Sequence, residues 1–541
     1  MRGCGDQADV AGAVPVDVGG LESAGHTFLS RRGFLSAVTV AGLVGVATLA
    51  PVDFAHASGT SPETRTVTGH FDIGVPDLVY LPVKVPRGVS QIDVVYSYDR
   101  PSVPPGVRGN ALDIGIFDER GHGLGDEAGF RGWSGGFRNS FSISRSAATP
   151  GYLPGPVNAG TWYIVLGPYT VAPAGLDWRV DITLTYGTPG PAFTPNYPPT
   201  RAKGRGRAWY RGDCHLHTVY SDGRRLPSEV ATGARQSKLD FMVSTDHNTP
   251  ASHAVWGEYA GDDLLIMLGE EITTHNGHFL AAGLPAGTWI DWRYRARDGK
   301  LPGFLRKIHK SGAIAVVAHP FSTCMACGWA FDYAGMDAVE IWNGPWTQDD
   351  EMAVLQWNSM LGRAAHGGKW LPAMGNSDAH HPGQVIGLPQ NVVLADDLRR
   401  AAILAGLKAG RTWIAESADV GLAFTVTGRR SSARIGERLP TASDETVTAT
   451  VQVEGVPNGT VRLITDQGEA FTGSLPASGS ATVSWRTTPA VSTYVRAEVR
   501  HPGTGPTGGT PGAMAALTNP IFLGRRQGTP GVGGHGIRLR R

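Results

Sequence analysis

Cysteine is scarce in this chain: four residues among 541, too few for disulfides to act as its scaffold. An excess of one charge is also missing. Lysine and arginine total 48 against 47 aspartates and glutamates, for a formal net charge of +1, so the balance does not call for a nucleic acid or an anionic membrane as obligate partner. The chain contains no Gly-x-x-x-x-Gly-Lys-Ser/Thr loop to cradle phosphates and no Gly-x-Ser-x-Gly in a strand-helix setting, which removes nucleotide-driven and serine-hydrolase chemistry. No internal repeat of fixed period is evident. What is abundant is glycine (74) and proline (37), beside a hydrophobic fraction of 41%. That composition describes a loop-rich globular protein with many short strands, long enough for about two to four domains.

The N-terminus reads as an address. Ser30-Arg31-Arg32-Gly33-Phe34-Leu35 fits the twin-arginine export pattern, an apolar small-residue stretch runs from Phe34 to Ala50, and Ala55-His56-Ala57 fits a signal-peptidase site. The stretch is too short and too rich in Gly, Ala and Thr to make a comfortable membrane span. Residues 1–57 are therefore expected to be a signal peptide. The mature protein, starting near Ser58, is expected to work outside the cytoplasm (extracellular, periplasmic or at the cell surface) without a membrane attachment after cleavage.

Residues 62–190 alternate apolar and polar positions in short runs, such as Gln91 to Tyr98, Leu112 to Asp118, Gly160 to Gly167 and Trp178 to Leu184, the pattern of a β-sandwich or jelly roll. A Pro-, Arg- and Lys-rich stretch, 191–208, reads as a linker. From 209 to 415 short apolar strands alternate with helical stretches at Pro227 to Lys238, Pro302 to Lys310, Asp350 to Arg363 and Asp396 to Ala409, which predicts an α/β domain of βα units around a parallel sheet or barrel. Residues 420–523 form a second all-β stretch, expected to be a small β-sandwich, and 524–541 a Gly-rich basic tail.

Metal-ligand residue types recur along the middle domain, at or just past the ends of its strand candidates, where barrel enzymes place their chemistry. His215 and His217 lie two apart on an expected strand and leave the same face. They are followed by Ser221-Asp222-Gly223, Thr245-Asp246-His247-Asn248, Glu270-Glu271, His278, Ala318-His319-Pro320 and Ser377-Asp378-Ala379-His380. Asp222 taken alone would be a turn residue, and only one of the adjacent Glu270 and Glu271 can face the same site. Asp246 suits an orienting role behind a ligand, or helix capping. Histidine and carboxylate together suit zinc, manganese or iron, and there are too many candidates for one tetrahedral structural ion, so a cluster of two or three divalent ions is expected, and with it hydrolysis. Positive charge for a phosphate would come from Arg224, Arg225, His381 or Arg411; Asn343 is a further substrate-contact candidate, and Trp342 and Trp346 could line a pocket. Cys324-x-x-Cys327 fits a local disulfide at a loop near the rim.

The series His215-x-His217, Thr245-Asp246-His247, Gly269-Glu270-Glu271-Ile272, His319-Pro320 and Asp378-x-His380 resembles the PHP superfamily, named for polymerase and histidinol phosphatase domains, over roughly residues 209–415. Val339-Glu340-Ile341-Trp342-Asn343-Gly344 and Leu407-Lys408-Ala409-Gly410-Arg411-Thr412 are similar to the exported metallohydrolase branch named for carbaryl hydrolases (CehA/McbA). The resemblance implies a distorted (β/α)7 TIM-like barrel, here flanked by the two β-sandwich domains, holding two or three Mn, Zn or Fe ions. On its pattern His215, His217, Asp222, His247, Glu271, His319, Asp378 and His380 match ligand positions and His278 an optional one. Glu271 is preferred to Glu270 because the family's glutamate directly precedes an Ile-Thr pair, and Asp222 stands where some branches have histidine. The expected activity is phosphoester hydrolysis of a small molecule, with a nucleotide or oligonucleotide among the candidate substrates, by a hydroxide shared between ions. Asp378, His319 and His380 are the candidates for proton transfer. Carbamate, ester or amide cleavage on the same centre is the alternative, and a carbohydrate- or surface-binding protein with a structural metal site is a third reading.

Overall fold

The computed structural model describes residues 46–54, 61–365, 369–503 and 512–525. The twin-arginine run and Ala55-His56-Ala57 lie outside the described residues, as does the tail beyond Arg525.

The N-terminal domain is two antiparallel sheets packed face to face. One holds Glu63–Phe71, Leu176–Tyr186, Val89–Tyr98 and Ser140–Ser144; the other holds Leu78–Val85, Gly160–Thr170, Ala111–Phe117 and Phe130–Gly135, with Val46–Thr48 added in parallel beside Leu78–Val85. The period-2 alternation explains the layers. Leu112, Ile114 and Ile116 enter the core between the sheets with Leu81, Val83, Ile92, Val94, Val180 and Ile182. Phe117, on the opposite face of the same strand, packs outside the sandwich in a second core with Phe130 and Trp289. Phe130 stacks on Trp289 at 4.1 Å between ring centroids. The outer face of the second sheet is thus not a solvent face but the contact surface with the next domain.

The middle domain is mixed α/β. Its strands, in sheet order, are Ala373–Asn376, Ala338–Asn343, Ile314–Val317, Gly277–Ala282, Leu265–Thr274, Phe241–Ser244, Ala208–Asp213, Gln390–Ala395 and Thr412–Ala415. Residues from Ala208–Asp213 round to Ala373–Asn376 all feed one interior cluster, which includes Tyr210, Phe241, Met267, Leu280, Val316, Ala338 and Met374. Ile403, Leu404 and Leu407 of the helix Arg400–Lys408 complete it. Its partners on every side require the sheet to curl, and a parallel bridge between Leu216 and Ala379 brings the chain beyond the first strand beside the chain beyond the last. Helices Pro227–Gln236, Leu301–Lys310 and Gln348–Ala365 cover the outside.

The regular βα alternation expected from the sequence breaks at two places. Leu265–Thr274 and Gly277–Ala282 form an antiparallel hairpin, and Gln390–Ala395 runs antiparallel to Ala208–Asp213. A parallel crossover needs a dozen or more residues; the hairpin has only His275 and Asn276 between its strands, so it can only reverse.

The C-terminal strands pack as two layers. Gly421–Thr427, Ser432–Arg434, Val447–Glu454 and Ala481–Thr487 form one sheet; the other is a continuation of the middle-domain sheet, joined where Thr412–Ala415 pairs with Met514–Thr518 and carried on through Tyr494–Arg500, Thr460–Thr465 and Gly468–Ser474. Trp413 and Ala415 accordingly share a core with Phe424, Val451 and Val499.

Candidate metal centre

His215 and His217 follow directly on the end of Ala208–Asp213 rather than lying within it. The strand is anchored there by Asp213, whose carboxylate accepts from Ser377 Oγ at 2.5 Å and from the Gly387 N–H at 2.9 Å. Glu271 sits inside Leu265–Thr274, and the parallel bridge His247↔Glu271 sets the loop beyond Phe241–Ser244 against it. His319 and Asp378 lie just beyond Ile314–Val317 and Ala373–Asn376, with φ of +23° and +48°, values that residues other than glycine adopt uncommonly. Asp378 and His380 are therefore not presented by an extended strand. A left-handed turn delivers Asp378, and the His380 Nδ1–H donates back to the Asp378 carbonyl at 2.7 Å.

Three overlapping groups result. His215, His217, Glu271 and Asp378 form the first; His217, Asp222, His247 and His380 the second; His247, Glu271 and His278 the third. In the first, Nε2 of His215 lies 3.0 Å from Glu271 Oε2 and 3.1 Å from Asp378 Oδ1, and Nε2 of His217 lies 3.2 and 3.0 Å from the same two oxygens. These four atoms are buried, yet none has a hydrogen-bond partner: they approach one another without any donor aimed at an acceptor. Ligands on a tetrahedral ion with bonds of roughly 2.0–2.1 Å are about 3.3–3.4 Å apart, so the spacing fits atoms that share an ion. Asp222 Oδ1 and His380 Nε2, 3.3 Å apart in the second group, are unpartnered in the same way. His319 Nε2 lies 3.1 Å and His278 Nδ1 3.0 Å from Glu271 Oε1. Glu271 is the hub.

The charges are mutually held. Burial pushes the His215 ring down, but the Asp378, Glu271 and Glu340 carboxylates override it and hold the ring well above its ordinary 6.5. His380 is raised to about 10, against burial, by Asp222 and Asp378. Burial pushes Glu271 and Asp378 up, and the surrounding histidines bring both well below the carboxylate range. His247 is lowered to about 3, mainly by burial. Divalent ions take neutral imidazoles and ionised carboxylates, so loading this site expels protons.

Behind the first group stands Glu340, which sequence reasoning passed over as a site residue. A carboxylate can only accept, so the His215 Nδ1–H must donate to Glu340 Oε1 (3.2 Å), which fixes the tautomer and leaves Nε2 free to ligate. Glu340 also accepts from Asn376 Nδ2 at 2.7 Å, the His319 N–H at 2.9 Å and Asn343 Nδ2 at 3.0 Å. The available signal was a carboxylate in a strand otherwise as apolar as Ala338-Val339-Ile341, since a fully buried charge must be partnered.

Asp246 lies in none of the three groups. It accepts from the Thr218 N–H at 2.8 Å and from Ser221 Oγ at 2.9 Å, pinning the turn that presents Asp222. Gly223 belongs to that turn because a Cβ there would come within 2.6 Å of the His217 backbone carbon. Glu270 points the other way, accepting from the Ile290 N–H at 2.9 Å. Asn343 Nδ2 is engaged by Glu340 and, at 3.3 Å, by Asp378 Oδ2, so it steadies a ligand. Arg224 donates its N–H to the His380 carbonyl at 2.6 Å, with its side chain exposed, and His381 Nδ1 accepts from the Gly383 N–H at 3.2 Å in the turn beside His380. Arg225 is turned to the Gln384 carbonyl. Arg411 is not brought to the cluster. Its carbonyl accepts from the Leu394 N–H, and Leu394 pairs with Trp209 at the opposite end of the strand from His215. Cys324 and Cys327 are disulfide-bonded, and Cys214 is free and buried.

A cavity of about 1140 Å3 opens over the cluster, lined by Asp222, His247 and His278. Its walls come from both domains: Tyr80, Trp133 and Phe137 from the sandwich, Trp292 and Tyr294 from the segment after the hairpin, and the Cys324–Cys327 loop.

No family model and no curated protein matches the chain. Among solved structures it is similar to a two-domain protein from Bacteroides vulgatus containing a predicted PHP-like metal-dependent phosphoesterase, at 17% identity over 62% of this chain and 100% of that one, with a TM-score of 0.34. It is also similar to an amidohydrolase from Chromobacterium violaceum with bound sulfate and no metal, at 18% identity over 32% and 89% of the respective chains, with a TM-score of 0.24. Both likenesses are distant.

Proposed function

We propose that this chain is an exported metal-dependent hydrolase of the PHP type, its curled sheet a distorted (β/α)7 barrel, and that it cleaves phosphoesters with two or three divalent ions of manganese, zinc or iron. The observation that carries this reading is the convergence of buried, unpartnered nitrogen and oxygen atoms from His215, His217, Glu271 and Asp378, with Asp222 and His380 alongside. Such ions, when bound, lower the pKa of a coordinated water and polarise a phosphoryl or carbonyl oxygen. The chain's own part is to hold them. Glu340 orients His215, Asn343 steadies Asp378, and Asp246 fixes the turn bearing Asp222. We assign proton transfer to a leaving oxygen to His319, whose Nδ1 is buried and unpartnered.

Cleavage of a carbamate or carboxylic ester is the second reading, and one observation favours it. Arg293 and Arg295, which line the cavity, are neutralised by Asp291 and Asp77, leaving, among the described residues, no inner cation committed to a phosphate. Assaying the metal-loaded chain on phosphate monoesters, diesters, short oligonucleotides and aryl carbamates in parallel tests both. Turnover of the first classes supports the phosphoesterase, turnover of aryl carbamates alone supports the second reading, and turnover of none overturns both. The match of Ser30-Arg31-Arg32-Gly33-Phe34-Leu35 to the twin-arginine pattern supports export of the folded, loaded protein, with a small-molecule substrate met outside the cytoplasm.

A further inference from the structure

The sandwich contributes more than a scaffold to the cavity. Strand Ala111–Phe117 sends Leu112, Ile114 and Ile116 into the sandwich core, and by the same alternation sends Asp113 to the face that meets the middle domain. Asp113 lines the cavity and is only 4% exposed, and its Oδ1 has no hydrogen-bond partner. A buried carboxylate without a partner is costly, and burial pushes this one up to about 7. Among the described residues no cation pairs with it, because Arg293 and Arg295 are each committed to another aspartate and Arg297 and Lys300 are exposed. Gly167 lets the Trp133 ring and Asp113 close over its strand: a Cβ there would sit 3.0 Å from Trp133 Cη2 and 3.2 Å from Asp113 Cβ. Among the described residues the inner wall thus presents an unpaired, burial-strained carboxyl beside indole faces, with Trp133 and Trp292 4.7 Å apart, an arrangement in which an organic cation would both ionise the carboxyl by pairing with it and lie against the rings.

We propose that the Asp113 face of the sandwich is the leaving-group wall of the site, selecting substrates whose leaving group is an aromatic ring that carries an ammonium group. The inference rests on the hydrolase reading above for the word leaving group, while the recognition itself depends on the cavity alone. A volume of about 1140 Å3 exceeds what an orthophosphate fills and matches a drug-sized molecule. A polyanionic oligonucleotide would meet Asp113 with the wrong sign.

The test uses the full metal-loaded chain and three phenols that mimic the released group: 4-cresol, 4-hydroxybenzyl alcohol and 4-hydroxybenzylamine, each titrated by calorimetry. The amine is expected to bind about tenfold or more tighter than cresol, the worth of one charge-assisted hydrogen bond, and Asp113→Asn is expected to abolish that preference while retaining the wild-type circular dichroism spectrum. Equal binding of amine and cresol, tighter binding of the alcohol than of the amine, or an unchanged preference in Asp113→Asn overturns the proposal. Turnover of the phosphate and methylcarbamate esters of the same phenols separates the two readings. If none is hydrolysed but the binding preference holds, the hydrolase reading fails and the recognition stands; if all are hydrolysed at equal kcat/KM, the hydrolase stands and the wall falls.

Discussion

Replacing Glu340 by glutamine changes one oxygen for an NH2 and leaves the shape of the side chain intact. Glu340 Oε1 receives His215 Nδ1 and Asn376 Nδ2, and Oε2 receives the His319 N–H and Asn343 Nδ2. Glutamine has a single acceptor oxygen. Whichever way the amide is turned, two buried donors face an NH2. If the amide oxygen stays with Asn376, the His319 backbone and Asn343 lose their acceptor; if it turns, His215 loses the group that fixes its tautomer. Each stranded donor costs about 1–3 kcal/mol of stability. Losing such an orienting partner weakens metal binding about 10- to 100-fold, or about 1.4–2.7 kcal/mol. The assay is competition for zinc and manganese against a chromophoric chelator, with a thermal melt on the same samples. A folded Glu340→Gln protein whose metal affinity stays within about threefold of wild type would refute the positioning role.

Four further outcomes follow from the same geometry. Metal binding to the wild-type protein at pH 7 releases protons, because His215 is held well above 6.5 and His380 is raised to about 10; calorimetry in buffers of different ionisation enthalpy reads the number, and none released contradicts the charge assignment. Because those histidine pKa values are raised by folding, their stabilisation of the metal-free protein is full below about 6.5 and fades as pH climbs toward 10, whereas that of Glu271 and Asp378, whose values are lowered, is present above the usual carboxylate range and fades on acidification; denaturant melts across pH on metal-free protein should show both limbs. Asp246→Ala strands the Thr218 N–H and two hydroxyls, with an expected loss of roughly 2–4 kcal/mol and a lower melting temperature. Arg411→Ala should leave kcat/KM within about threefold, since Arg411 sits at the far end of the sheet from the cluster.

Much of the middle domain was legible because its chemistry is local. Helices such as Leu301–Lys310 and Arg400–Lys408 announce themselves by apolar spacing, and His215, His217, His247, Glu271, His319 and Asp378 follow short apolar strands or lie within them, so any fold that aligns those strands brings them together. What could not be read depends on pairing between distant segments. Nothing local in Trp413 says that its strand will pair with Met514–Thr518 and fuse two sheets into one. Arg411 reads as a site candidate until the antiparallel direction of Gln390–Ala395 is known, which carries it to the wrong end. Asp113 looks like an ordinary polar position on an alternating strand, and only the docking of the sandwich against Trp289 and Trp292 turns that face into a wall. Glu340 was visible as an isolated carboxylate in an apolar strand, but three of its four donors, from His215, His319 and Asn376, come from segments distant in sequence.

The most direct test of the central claim is the metal content of purified protein, measured by inductively coupled plasma mass spectrometry on wild type and on Glu271→Gln, after loading and desalting. Glu271 touches His215, His217, His247, His278 and His319, so the account predicts at least two equivalents of divalent ion in wild type and a loss of more than one equivalent in the variant. Less than one equivalent in wild type, or full retention by a folded Glu271→Gln protein, would contradict it.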